Sequence, residues 1–222
     1  MRLFAALLLP GRVVERLTGA VDAVRAAAST PALDDRPTLR WVSPDQWHVT
    51  VAFFGQVEDG RLPDLQTRLA RAASRAPALD LVVAAPGTFG STRRARVLWL
   101  GLDGQTAALR ALAASCRAAG RRAGLQADGL AADARYRPHI TLARVTPPGD
   151  VSAVTAALTG ALTDESPDTA TEDATGADHP AWRANELALV RSDLGAGPRG
   201  RARHTVISRF PLGPATPAAA GR

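Results

Sequence analysis

Lysine is absent from this chain of 222 residues, and all 27 basic side chains are arginine. A composition rich in arginine and alanine accounts for part of that bias. Guanidinium nonetheless stays charged and matches a phosphate with a planar fork, so an anionic ligand is favoured, although composition alone does not establish nucleic-acid binding. With a single cysteine, Cys116, there is no internal disulfide and no cysteine-built zinc site. Placed in an alanine-rich helical run, Cys116 reads as a small packed side chain. No Gly-x-Ser-x-Gly elbow or Walker loop occurs, which argues against a serine nucleophile and against nucleoside triphosphate use. Long hydrophobic runs are missing too. The first, Leu3 to Leu9, is stopped by Pro10-Gly11 and falls far short of the ~20 residues that span a bilayer. It is expected to be a buried first strand rather than a leader, so a cytoplasmic protein with no membrane partner is expected.

Against these absences stands one stretch written twice. Trp47-His48-Val49-Thr50-Val51-Ala52-Phe53-Phe54-Gly55 and Arg137-Pro138-His139-Ile140-Thr141-Leu142-Ala143-Arg144-Val145 each carry His-x-Thr among apolar and β-branched residues, the composition of a strand. Side chains at i and i+2 of a strand share a face, so His48 projects with Thr50 and His139 with Thr141. Two of only four histidines thus recur in one setting, 91 positions apart.

Around this pair the chain alternates. Leu3–Leu9 reads as a strand, and about 12–28 as a helix with Val13, Leu17, Val21 and Val24 on one stripe. Leu39–Val42 is a short strand before the His48 strand, and about 62–74 a second helix ended by Ala76-Pro77. Leu79–Ala84 and Arg96–Leu102 read as strands joined by a loop over Pro86–Gly90. About 106–120 reads as a helix, and a loop then leads to the His139 strand. A short helix is expected over Val151–Leu162, with closing strands over Glu186–Arg191 and Thr205–Phe210. Strand, helix, loop and His-x-Thr strand therefore occur twice, in about 1–78 and 79–146, within one bilobal domain. The duplication would bring both motifs to one ligand. Residues 163–181 hold Asp164, Glu165, Asp168, Glu172, Asp173 and Asp178 with no arginine, too little apolar surface to offset ordering. They are expected to be a disordered acidic loop, and 213–222 a frayed tail.

Two imidazoles facing one site can serve as acid and base near neutral pH. Threonine hydroxyls beside them can donate to non-bridging phosphate oxygens. Arg144 lies five residues after His139, so strand alternation puts it on the opposite face unless a bulge or the strand's end intervenes. The motifs contain no carboxylate, and no His-x-His or His-x-x-x-His spacing exists, which leaves neither a metal site nor a cofactor to expect.

Two such motifs about ninety residues apart, the first followed by Phe53-Phe54-Gly55, the second preceded by Arg137-Pro138 and followed by Leu142-Ala143-Arg144, resemble the 2H phosphoesterase superfamily and within it the bacterial RNA 2′,3′-cyclic phosphodiesterases, or 2′-5′ RNA ligases. The likeness includes Arg2-Leu3-Phe4, Val97–Gly101 and Ser208–Leu212. It implies an α+β fold of two pseudo-symmetric lobes, with antiparallel sheets around a central cleft and helices outside. It also implies hydrolysis of RNA 2′,3′-cyclic phosphate ends to 2′-phosphomonoesters, with reversible 2′-5′ ligation as its companion. By the resemblance His48 would be the proton donor and His139 the proton acceptor, while Thr50, Thr141 and Arg144 would bind phosphate. Phe4, Phe53 and Tyr136 are candidate base or cleft contacts. The partner would be RNA with a cyclic phosphate end, met by a monomer. A phosphodiesterase for a small cyclic nucleotide and a non-catalytic RNA- or nucleotide-binding module stay open. His179 and His204 stand outside both motifs and are not expected to be catalytic.

Overall fold

The structure, a computed structural model, describes residues 1–28, 38–125, 136–163, 179–197, 200 and 202–213. Of the stretches 163–181 and 213–222, expected to be a disordered loop and a frayed tail, residues 164–178 and 214–222 lie outside the described residues, while Thr163 closes a helix and Ala181 opens a strand. In chain order the elements are β1 (Arg2–Leu8), α1 (Gly11–Ala28), β2 (Thr38–Trp41), β3 (His48–Gln56), α2 (Leu62–Ser74), β4 (Leu79–Phe89), β5 (Ala95–Gly104), α3 (Thr106–Arg122), β6 (Ile140–Gly149), α4 (Ser152–Thr163), β7 (Ala181–Ala184), β8 (Glu186–Asp193) and β9 (Arg203–Pro211). The expected helices all form, within one or two residues of their expected bounds.

The strands build one sheet in the order β7-β4-β5-β6-β3-β1-β8-β9, with β2 paired to β6. The order divides into two antiparallel halves. One holds β3, β1, β8 and β9, the other β6, β5, β4 and β7, and a single register pair, Val49 with Ile140, joins them. A ladder one pair long lets the two halves diverge on either side of it, so the sheet opens into a cleft at its centre. Strand β2 runs along the same edge of β6 with Arg40 opposite Arg144. A short 3-10 turn at Pro44–Gln46 then carries the chain from β2 into β3.

Helices cover one side of the sheet. Leu65 and Leu69 of α2 and Leu109, Leu112 and Cys116 of α3 are fully buried there, each large side chain adding about 1.5–3 kcal/mol by leaving water. Burial pushes the Cys116 thiol up to about 12, which keeps it protonated and unreactive. Helix α3 packs close to β3 at Gly120, where an added Cβ would meet the Phe54 ring at 2.9 Å. The other side of the sheet carries a smaller buried cluster of Phe4, Ala6, Ala188 and Val190, with Leu8 and Phe53 against it. That side is the floor of the cleft.

One expected loop is a strand. Strand β4 continues through Pro86 as far as Phe89, pairing Pro86 to Phe89 with Leu100 to Val97 across a register shift after Val83. Proline has no N–H to give a ladder, so it sits at the irregularity, where none is needed. The shift re-aims the rest of the strand. Strand β7, four residues beside β4, was not expected at all. Its partner residues lie about a hundred positions away, so no local pattern announces it.

Candidate active site

Because Val49 and Ile140 are paired and buried, the residues flanking them point to the opposite side of the sheet. Antiparallel alternation sets His48 towards Thr141 and Thr50 towards His139. The two His-x-Thr motifs are therefore brought together across the cleft, each histidine facing the other motif's threonine.

Each histidine is held in the same way. His48 Nδ1 lies 2.7 Å from the carbonyl oxygen of Gln46, and His139 Nδ1 lies 2.7 Å from that of Arg137. A nitrogen facing a carbonyl must carry the proton, so Nδ1 donates in both rings. In the neutral form Nε2 is then the bare nitrogen. The peptide two residues upstream does what a carboxylate does in many histidine pairs, without adding charge. His48 Nε2 accepts the Thr50 hydroxyl at 3.0 Å.

Bulges bring further residues to this side. The β1–β3 register skips a residue on β3 between Ala5–Ala52 and Ala6–Thr50, and the β5–β6 register skips one on β6 between Leu98–Ala143 and Trp99–Thr141. The extra residues, Val51 and Leu142, each follow a motif threonine, and each is buried together with its successor, Ala52 or Ala143. One extra residue per strand flips the faces that follow. Phe53 and Arg144 thereby reach the side of Thr50 and Thr141, which supplies the bulge that Arg144 needed. Phe53 is half-buried, with the Arg2 guanidinium 4.7 Å above its ring.

Aromatic rings frame each imidazole. Phe4 lies 4.8 Å from His48 and 5.1 Å from His204, and the two histidines are 5.3 Å apart. A cavity of about 100 Å³ opens here, lined by Phe4, His48, His204 and Val206 among others. In the other half, Phe89 stands 4.9 Å edge-on from His139 and Trp99 lies 6.0 Å away, with Arg137 stacked 4.8 Å over the indole. Tyr136 is placed differently from a free cleft contact. Its hydroxyl donates to the Thr50 carbonyl at 2.9 Å, which braces the approach to β6 against β3.

Burial lowers the pKa of His48 to about 4, against the bond to Gln46 and with the help of His204 and His139. Burial also lowers His139, opposed by its bond to Arg137 and aided by that residue's charge. His204 is lowered by burial and raised by Asp45. Both motif histidines are therefore neutral near pH 7 in the ligand-free protein.

His204, Phe89, Trp99 and Arg137 were not anticipated as site residues. His204 reaches His48 through pairing of β9 with β8, opposite Ser192, and through Gln46, whose amide donates to the Ala202 carbonyl at 2.9 Å. Nothing near His204 in sequence signals that placement. Phe89 was hidden by reading its strand as a loop.

Residues 13–196 match the family described as the 2′-5′ RNA ligase superfamily. Over 116 residues, 52% of this chain and 35% of the relative, the sequence is 32% identical to the RNA 2′,3′-cyclic phosphodiesterase of Geobacillus stearothermophilus. The chain thus spans about a third of that relative. Among solved structures, the Thermus thermophilus protein TT0787 superposes with a TM-score of 0.67 at 27% identity, covering 96% of this chain and 98% of that one. Escherichia coli LigT complexed with 3′-AMP superposes with a TM-score of 0.60 at 26% identity, covering 95% and 96%. With a family match over most of its length and paired His-x-Thr strands meeting across one cleft, this chain belongs to the 2′-5′ RNA ligase superfamily.

Proposed function

We propose that the cleft hydrolyses RNA 2′,3′-cyclic phosphate ends to 2′-phosphomonoesters. The observation that carries this is the pair of imidazoles, each with Nδ1 tied to a backbone carbonyl and Nε2 as the bare nitrogen, on strands joined at Val49 and Ile140. His139 Nε2 takes a proton from water as its oxygen bonds to phosphorus. The P–O3′ bond breaks, and His48 delivers its Nε2 proton to O3′, leaving a 2′-phosphate and a 3′-hydroxyl. Thr50, Thr141 and Arg144 hold the non-bridging oxygens, where charge builds up. Since His48 rests neutral, its proton arrives with the anionic substrate, whose charge raises the His48 pKa. A 5′-hydroxyl in place of water gives the 2′-5′ ligation. Phe4 and Phe53 line the cleft beside a base, and Tyr136 contributes by bracing Thr50. No metal or cofactor has a role in this scheme, which is carried out by a cytoplasmic monomer, a single bilobal domain duplicated over about 1–78 and 79–146.

The test is incubation with a short RNA ending in a 2′,3′-cyclic phosphate, with EDTA present. The expected product is the 2′-phosphate, lost in both His48→Ala and His139→Ala. A 3′-phosphate would reverse the leaving oxygen. Binding without turnover, unaffected by His48→Ala, would indicate a non-catalytic module.

A further inference from the structure

On the side of the sheet that carries Thr141 and Arg144, β2 sets Arg40 directly opposite Arg144. Like charges facing each other across a ladder are destabilising. Three strand arginines elsewhere in the sheet meet carboxylates: Arg183 lies 2.8 Å from Asp80 opposite it, Arg191 2.9 Å from Asp193, and Arg209 3.1 Å from Glu186. Among the described residues Arg40 and Arg144 have no carboxylate, hydrogen-bond or aromatic partner, and both are exposed. Two arginines set opposite each other with no counter-charge among the described residues make a place that suits an anion.

Its position identifies the anion. Arg144 stands three residues along β6 from Thr141, at most roughly 10 Å at about 3.3 Å per residue, and Arg40 lies one strand further out. A 2′,3′-cyclic phosphate terminates its chain, so the nearest other phosphate is the diester on the 5′ side of the terminal nucleotide. Resting on the cyclic-phosphate reading above, in which Arg144 holds the cyclic phosphate itself, we propose that Arg40 beside it binds that 5′ phosphodiester. The substrate is then an oligonucleotide, and a mononucleoside cyclic phosphate fills only part of the site.

The experiment compares kcat/KM for adenosine 2′,3′-cyclic phosphate with that for a short RNA ending in the same nucleotide, in EDTA. The wild type is expected to prefer the RNA tenfold or more. Arg40→Gln is expected to remove most of that preference and to reduce the slope of log kcat/KM against log salt by about 0.7–1. Arg71→Gln, on the outer face of α2, removes the same charge and is expected to keep the preference. Equal rates on both substrates in the wild type, or a preference that survives Arg40→Gln, would overturn the assignment. If neither substrate turns over, the hydrolytic reading fails by itself. Anisotropy titration of a 5′-labelled RNA against wild type and Arg40→Gln then decides, since a bound phosphodiester requires weaker affinity and a shallower salt slope in the variant.

Discussion

The two halves of the sheet hold equivalent histidines in unlike surroundings. His48 is packed against Phe4 and His204, bonded at both nitrogens, and drawn down to about 4. Among the described residues His139 has one hydrogen bond, to the Arg137 carbonyl, with Phe89 and Trp99 at its edges. Part of the difference starts in the neighbouring strand. Ala6 pairs with Thr50 where Trp99 pairs with Thr141, so a small residue in one half leaves space for Phe4 and His204, and the indole fills it in the other. Matched strands do not make matched acids.

The largest effect expected is loss of chemistry. His48→Asn and His139→Asn should each lower kcat by roughly 10²–10⁴, measured as release of 2′-phosphate from a cyclic-phosphate RNA. Their pH profiles should separate them. With His48 neutral above about 4 in the free protein, the wild-type kcat/KM optimum should fall below pH 6.5. The kcat optimum should lie higher, because the bound anion raises His48. Coincident optima would mean that His48 is not the donor.

Acid stability comes next. The folded protein binds His48's proton only below about 4, whereas the unfolded chain binds it near 6.5. Between those values the unfolded state holds more protons, so stability falls as the pH is lowered through that window, by up to about 3 kcal/mol from this group. The stability is fully present above pH 6.5. Urea titrations of wild type and His48→Gln between pH 4 and 7 should show the slope in the first and most of it gone in the second.

Gly87→Ala tests the other half. Gly87 faces Trp99 across β4 and β5, and an added Cβ would clash with the indole ring. Moving that ring disturbs Arg137 stacked upon it and, through Arg137's carbonyl, His139. A loss of about 1–3 kcal/mol is expected, with kcat reduced and the acid slope from His48 unchanged. A change in that slope would mean that the halves do not respond separately.

What could be read in the sequence follows the same division. The helices, the His-x-Thr strands and the shared face of His48 and Thr50 were legible because hydrophobic period and strand alternation are local. The condition on Arg144 was legible, but its solution was not: the bulge at Leu142 shows only as a register shift against β5. The surroundings of His48 were hidden for a further reason. His204 arrives from the far end of the chain by strand pairing, and single-residue alternation cannot report a partner 156 positions away.

The smallest effect concerns the threonines. In the free protein Thr50 donates to the bare Nε2 of His48 at 3.0 Å, while among the described residues His139 receives no such bond from Thr141. Valine at each position keeps the β-branched shape and removes only the hydroxyl. Thr50→Val should cost about 1 kcal/mol of stability and move the His48 titration upward, since the bond favours the neutral ring. Thr141→Val should leave stability within about 0.5 kcal/mol of wild type. Both should weaken binding of a phosphate-bearing nucleotide, because both hydroxyls are needed on the phosphate. Only in Thr50→Val should the loss be partly offset, since wild-type Thr50 must first give up His48. Thermal melts and nucleotide titrations of the two variants side by side decide it, and equal stability losses would remove the asymmetry between the halves at the motif itself.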